Sequence, residues 1–177
     1  MSEILGYDFF HRDCLEVAPE LVGKIIVRRL DSGEELRLRI SETEAYRGEE
    51  DTACHASKGR TKRTELLYGD AGMLYVYLCY GVHWLMNVIT GEKDFPQGVL
   101  FRACREYEGP GRLTKYLSVD GSFNGQPLYG NDIIRIEDDG CKPEIVTLPR
   151  VGINYATPEY RDILWRFKDI KNISKIP

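Results

Sequence analysis

The chain has 177 residues, 42% hydrophobic and 29% charged, an ordinary globular composition that excludes disorder. Its formal net charge of −4 excludes a uniformly basic nucleic-acid binder. Five scattered cysteines without a CxxC pair, and three histidines without HxxH or HExxH spacing, argue against a disulfide framework and against a metal site, and no cofactor is expected.

No apolar run is long enough to span a bilayer, and the start "MSEILGYDFFHRD" lacks a basic region followed by an apolar stretch. The reading is a cytoplasmic protein without signal peptide or membrane contact. In chain order, "RDCLEVAPELVG" predicts a short helix capped by Asp13, with Leu15, Ala18 and Leu21 at helical spacing and Gly23 as its stop. Pro19 leaves its start open. "KIIVRRL" and "EELRLRISETEAY" predict two strands joined at Asp-Ser-Gly, with Leu36, Leu38 and Ile40 alternating against Arg37, Arg39 and Ser41. From "RGEEDTACHASKGRTKR" to "YGDAG" periodicity is lost, which predicts a long loop with one helical turn; such loops tend to be functional.

"MLYVYLCYGVHWLMNVIT" predicts a second hairpin with Tyr80-Gly81 near its tip, and "GVLFRA" a further strand. "GPGRLTKYLSV" predicts a short helix, "NDIIRIED" and "PEIVTLPRVGI" strands, and Thr157-Pro158 the start of a brief helix before "ILWRF". The sum, over residues 1–177, is one α+β domain: a curved, mainly antiparallel sheet flanked by short helices and long loops.

Strand alternation puts Glu42 and Glu44 on one face and Thr43 and Ala45 on the other. A glutamate at a strand end usually faces solvent. Here "TEAY" leads into the polar loop that holds His55, and a carboxylate at that junction can serve as a general base. In the second hairpin Tyr75, Tyr77 and Cys79 share a face. Aromatics suit strands for packing alone, the better account of Tyr75, but a face of tyrosines also suits a stacking platform. Tyr80, beside Gly81 at the tip, is not a core residue; an exposed ring there can wedge into a base stack. The basic run Lys58, Arg60, Lys62, Arg63 reads first as a solvated loop. It can also meet phosphates, since screening confines the effect of distant charges to ~8–10 Å.

Taken in order, "ISETEAYRGEEDTACH", "GMLYVYLCYGVHWLMNV", "GVLFRA", "GPGRLTKYL" and "LPRVGI" closely resemble the alkyladenine type of 3-methyladenine DNA glycosylase. The resemblance runs from about Leu21 to Phe167. It implies that Glu44 activates the attacking water and that Arg102 lies near that water. It implies that Tyr46, His55 and Tyr77 hold an extruded base, and that Asn87 disfavours guanine's exocyclic amine. Tyr80, on the hairpin that projects into DNA, matches the ring inserted into the duplex. For Asn87 and Arg102 the residues alone suggest only a buried amide and a surface arginine.

Three segments depart from the family pattern: "CREYE" replaces a longer insertion, "TELLYGDAG" replaces a differently composed loop, and the tail "RFKDIKNISKIP" lacks the usual glycine and tryptophan. They bear on DNA-contacting surface and lesion range and leave the pocket motifs intact. The expected activity is a monofunctional, hydrolytic excision of alkylated or deaminated purines from duplex DNA, by a monomer, with no motif lysine to form a Schiff base. A non-catalytic nucleic-acid-binding module, and more distantly a glycosidase for free nucleosides, stay open on the residues alone.

Overall fold

The computed structural model describes residues 2–171. Its strands are β1 (Glu3–Ile4), β2 (Ile25–Arg29), β3 (Glu35–Arg47), β4 (Leu74–Cys79), β5 (His83–Ile89), β6 (Gln97–Cys104), β7 (Ile134–Asp138), β8 (Ile145–Leu148) and β9 (Arg166–Asp169). The α-helices are α1 (Tyr7–Phe10), α2 (Cys14–Leu21), α3 (Pro110–Tyr116) and α4 (Pro158–Arg161). All strand pairings are antiparallel, in the order β1-β7-β2-β3-β6-β5-β4, with β9 joined to both β3 and β8. The sheet is open and the helices short, which bears out the α+β reading.

The first half of β3 pairs with β2 and the second half with β6 and β9. Register shifts between Ile40 and Thr43 bend the strand where it changes partners, as a bulge does. The bend leaves β3 spanning both halves of the sheet, and its C-terminal end carries Glu44 and Tyr46.

Alternation divides the sheet into two faces. On one face Ala45, Leu74, Val76, Met86, Val88, Val99 and Phe101 join the main hydrophobic core with α2 and α3. Each large side chain buried there stabilises the fold by roughly 1.5–3 kcal/mol. Thr43 hydroxyl donates to the Ala18 carbonyl at 2.7 Å and Thr114 hydroxyl to the Trp84 carbonyl at 2.7 Å, pinning α2 and α3 to this face. The other face receives Glu44, Tyr46, Tyr75, Tyr77, Asn87, Leu100 and Arg102.

Helix α2 begins at Cys14, and the Asp13 carboxylate accepts from the Leu15 amide at 3.0 Å, as the cap predicts. Gly23 follows at φ +94°, and a Cβ there would lie 2.6 Å from Pro143, so both backbone and space demand glycine. The loop from Gly48 to Ala71 holds two 3₁₀ turns, His55–Lys58 and Glu65–Tyr68, where one was expected. "PEIVTLPRVGI" is a strand only to Leu148. Pro149 has no N–H for the ladder, the Arg150 side chain turns inward to Asp51, and the Val151 amide is taken by Glu44. The short "CREYE" connection closes as a tight reversal, with reciprocal bonds between Cys104 and Tyr107 at 2.9 and 3.1 Å. Of the tail, Arg166–Asp169 forms β9, and Asn172 to Pro177 lie outside the described residues.

Candidate active site

A cavity of about 810 Å³ opens on the second face of the sheet, within the usual size of small-ligand clefts. Strands β3 to β6 form its floor, and the loops Thr52–Thr64 and Val151–Tyr155 form its walls. Tyr46, His55, Tyr77, Asn87 and Arg102 all line it, so the structure brings together residues that lie far apart in sequence.

Glu44 lies just behind the cavity wall and is fully buried. Its Oε2 accepts from the Tyr46 hydroxyl at 2.8 Å and its Oε1 from the Val151 amide at 2.9 Å. Arg102 Nε stands 3.5 Å from Glu44 Oε1 and 3.4 Å from Glu42 Oε1, bridging the two carboxylates that share this face. Glu42 is further held by Arg166 at 2.8 Å and Lys168 at 3.6 Å. Burial raises the Glu44 pKa above the ordinary carboxylate value; the Arg102 charge, the Val151 amide and the Tyr46 hydroxyl pull the other way. The solvent-facing alternative for Glu44, and the surface default for Arg102, are both excluded by this arrangement.

The aromatic residues form a connected wall. His55 Nδ1 and the Tyr75 hydroxyl share a hydrogen bond of 3.0 Å, and the His55 ring meets Tyr77 edge-on at 4.6 Å between centroids. Tyr75 and Tyr77 lie 5.4 Å apart. Tyr75 is buried and packs with Cys54, Leu67 and Ile89, as the packing account of it expects. Burial lowers the His55 pKa, with Arg63 and Lys58 acting in the same direction, so the imidazole is neutral at pH 7. Asn87 sits opposite Leu100 in the β5–β6 ladder and donates from Nδ2 to the Tyr75 carbonyl at 3.1 Å. That bond fixes the amide plane at the cavity floor.

At the hairpin tip, Val82 amide donates to the Cys79 carbonyl at 3.1 Å across a turn whose central residues are Tyr80, at φ +50°, and Gly81, at φ +68°. Two left-handed central residues are the requirement of a type I′ turn, which favours asparagine then glycine. A tyrosine in the left-handed region costs about 1 kcal/mol, and this one is 91% exposed. Neither the turn nor the core accounts for it.

The four basic residues of the loop are all exposed but not equivalent. Lys58 and Arg63 line the cavity. Arg60 is engaged within the protein by Glu65 at 2.7 Å and Asp94 at 2.8 Å and covers the Tyr68 ring, which leaves it the poorest phosphate contact of the four. Lys62 is not part of the cavity wall.

One group escaped sequence reasoning. Arg150 and Asp51 are fully buried and form a two-armed ion pair, with NH1–Oδ2 at 2.6 Å and NH2–Oδ1 at 2.8 Å. Arg150 also donates to the Ala45 and Tyr160 carbonyls, and its guanidinium lies 4.6 Å from the Tyr46 ring centroid. It thus covers the ring whose hydroxyl binds Glu44, while the next residue's amide binds Glu44 directly. "LPRVGI" was among the resembling segments, but nothing local singled out its arginine. Among the described residues there is no group of three or more His, Cys, Asp or Glu placed to hold a metal ion, and no helix long and apolar enough to cross a membrane.

Comparison with known proteins gives a consistent answer. The family described as methylpurine-DNA glycosylase (MPG) matches residues 8–109 and 105–172. A protein of Legionella pneumophila is 43% identical over 177 residues, covering 94% of this chain and 96% of its own length. One of Clostridium perfringens is 41% identical over 204 residues, covering 97% and 98%. One of Psychrobacter cryohalolentis is 39% identical over 185 residues, covering 88% and 87%. All three relatives bear the name "Putative 3-methyladenine DNA glycosylase".

Proposed function

The chain belongs to the methylpurine-DNA glycosylase family, and we propose that it excises damaged purines, 3-methyladenine and hypoxanthine among them, from duplex DNA. The reaction is hydrolysis of the N-glycosidic bond, leaving an abasic site as the opening step of base-excision repair. The observation that carries the reading is the buried Glu44, paired with Arg102 on the wall of an aromatic cavity whose rim presents an exposed Tyr80.

A base stacked in a duplex cannot reach Glu44, so the nucleotide must be extruded, at a cost of a few kcal/mol. Tyr80 fills the vacated gap and offsets part of that cost. Mispaired and damaged bases leave the stack more readily, which supplies selectivity before the pocket acts. Tyr46, His55 and Tyr77 then hold the base between π faces, and the fixed amide of Asn87 disfavours guanine's exocyclic amine. Lys58, Lys62 and Arg63, and more weakly Arg60, meet the DNA backbone.

Water enters from the cavity side, where Arg102 and Tyr46 flank the carboxylate. Glu44 takes a proton from it as its oxygen bonds to the sugar C1′, and the electrons of the C1′–N bond leave with the base. The negative charge of Glu44 also stabilises the oxocarbenium-like sugar in the transition state. Cationic bases such as 3-methyladenine depart as neutral molecules; hypoxanthine needs a proton as it departs.

The one lysine on the cavity wall among the described residues, Lys58, is exposed on the His55–Lys58 turn, and Glu44's partners are Tyr46, Val151 and Arg102, none of them a lysine, in keeping with a monofunctional enzyme. It works as a monomer in the cytoplasm and needs no cofactor. The test is incubation with duplex DNA carrying one hypoxanthine or one 3-methyladenine. Strand breaks at the lesion only after heating in alkali, with no borohydride-trapped protein, are expected; no breaks at either lesion would refute the reading.

A further inference from the structure

Tyr155 is 69% exposed on the rim of the cavity, and nothing in the fold requires an aromatic ring there. Its loop is anchored by its neighbours. Ile153 and Ala156 are buried in a small cluster with Ala53 and against Tyr46, and the Ala156 amide donates to the Ile153 carbonyl at 2.9 Å. With those two side chains turned inward, the intervening Asn154 and Tyr155 face out. The Tyr155 hydroxyl donates to the Ala53 carbonyl at 3.1 Å, which fixes the ring at the mouth of the cavity. A tethered, solvent-exposed ring is a contact surface prepared in advance, with little rotamer freedom left to lose on binding.

It does not stand alone. Tyr80 and Val82 on the hairpin tip, Leu78 at the end of β4 and Val151 on the same loop as Tyr155 are all exposed apolar side chains, and Leu78, Tyr80, Val151 and Tyr155 line the one cavity. Two exposed tyrosines therefore stand on different segments of the rim, one on a hairpin and one on a loop anchored by a separate cluster.

Resting on the glycosylase reading above, we infer that Tyr155 is a second DNA-contacting ring, which packs on the nucleotide adjoining the extruded one while Tyr80 fills the gap. A π face suits any base or a deoxyribose, so the contact adds affinity without sequence preference. Together the two rings hold the strand on both sides of the flipped nucleotide.

The test uses the full chain and two duplexes, each with a single hypoxanthine and with 2-aminopurine immediately 5′ or 3′ of it. Wild-type protein should change the 2-aminopurine emission in at least one duplex. Tyr155→Ala should remove that change and weaken binding about tenfold, the size of one lost stacking contact. Tyr155→Phe, which keeps the ring and loses the tether, should stay within about threefold of wild type. Wild-type emission and affinity in Tyr155→Ala would overturn the inference alone, with excision intact. A loss in Tyr155→Phe equal to that in Tyr155→Ala would overturn it in favour of a purely structural hydroxyl. A wild-type protein that neither binds nor cleaves the duplex would overturn the glycosylase reading, and this inference with it.

Discussion

Arg150 and Asp51 pair through the two terminal guanidinium nitrogens and both carboxylate oxygens, 99 positions apart in sequence, with neither side chain exposed to solvent. Asp51 is saturated, since it also accepts from the Arg47 and Ala53 amides at 3.1 and 3.0 Å. The pair therefore joins the loop that carries His55 to the loop that carries Val151 and Tyr155.

Removing one member leaves a buried charge without its counter-charge. Asp51→Asn should cost about 3–5 kcal/mol of unfolding free energy, measured by urea denaturation. A loss below about 1 kcal/mol would mean that the guanidinium is compensated by its carbonyl partners alone.

Tyr80 should show the opposite balance. Tyr80→Asn gives the turn a residue suited to the left-handed region and should raise stability by up to about 1 kcal/mol. The same change should weaken binding to a lesion duplex at least tenfold, read by fluorescence anisotropy, because the wedge is gone. A variant that is less stable, or that binds as wild type, would remove the argument that tyrosine is kept there for DNA.

The pH dependence follows from Glu44. Its pKa is raised by burial, so the charged base is lost, as pH falls, at a higher pH than an ordinary carboxylate would allow. Excision of 3-methyladenine, whose departure needs no added proton, should rise through one inflection above pH 4.5 and then level. His55, already neutral, should add no second step near pH 7. Tyr46→Phe deletes a donor that favours charged Glu44, so it should move the inflection upward. Single-turnover rates across pH check the sign, and a downward move would contradict it.

Far from the site, Glu137 on β7 is held at a pKa of about 2 by Arg37, with Ser2 and Arg135 adding to the effect. The sign is that of a lowered carboxylate: its stabilisation is present above the unfolded value near 4.5 and is lost as pH falls through about 2. Glu137→Gln should therefore cost about 2 kcal/mol at pH 7, and the difference from wild type should shrink across that window. Equal unfolding midpoints at pH 7 would deny the network its role.

Local pattern explains what could be read in advance. The period of two in "SETEAY" and "LYVYLC" puts Glu44 and Tyr77 on the site face and Ala45 and Val76 on the core face, as the structure has it. The turn residues Tyr80-Gly81 mark the hairpin. What stayed hidden depends on tertiary pairing. "LPRVGI" has the composition of a strand, yet its backbone and side chains are drawn into the site by Glu44 and Asp51. Arg60 looks like its basic neighbours until Asp94, 34 positions away, takes up its charge. Arg102 was marked by the family resemblance alone, and its physical reason, a β6 side chain set between Glu42 and Glu44, depends on the ladder.

The most direct measurement is single-turnover base release from a hypoxanthine duplex by wild type and Glu44→Gln, with binding to the same duplex measured in parallel. The account predicts that the variant binds as wild type does but loses at least a thousandfold in release rate, on the order of 4 kcal/mol of transition-state stabilisation. A Glu44→Gln protein that releases the base at an undiminished rate would contradict the assignment of Glu44 as the group that activates water.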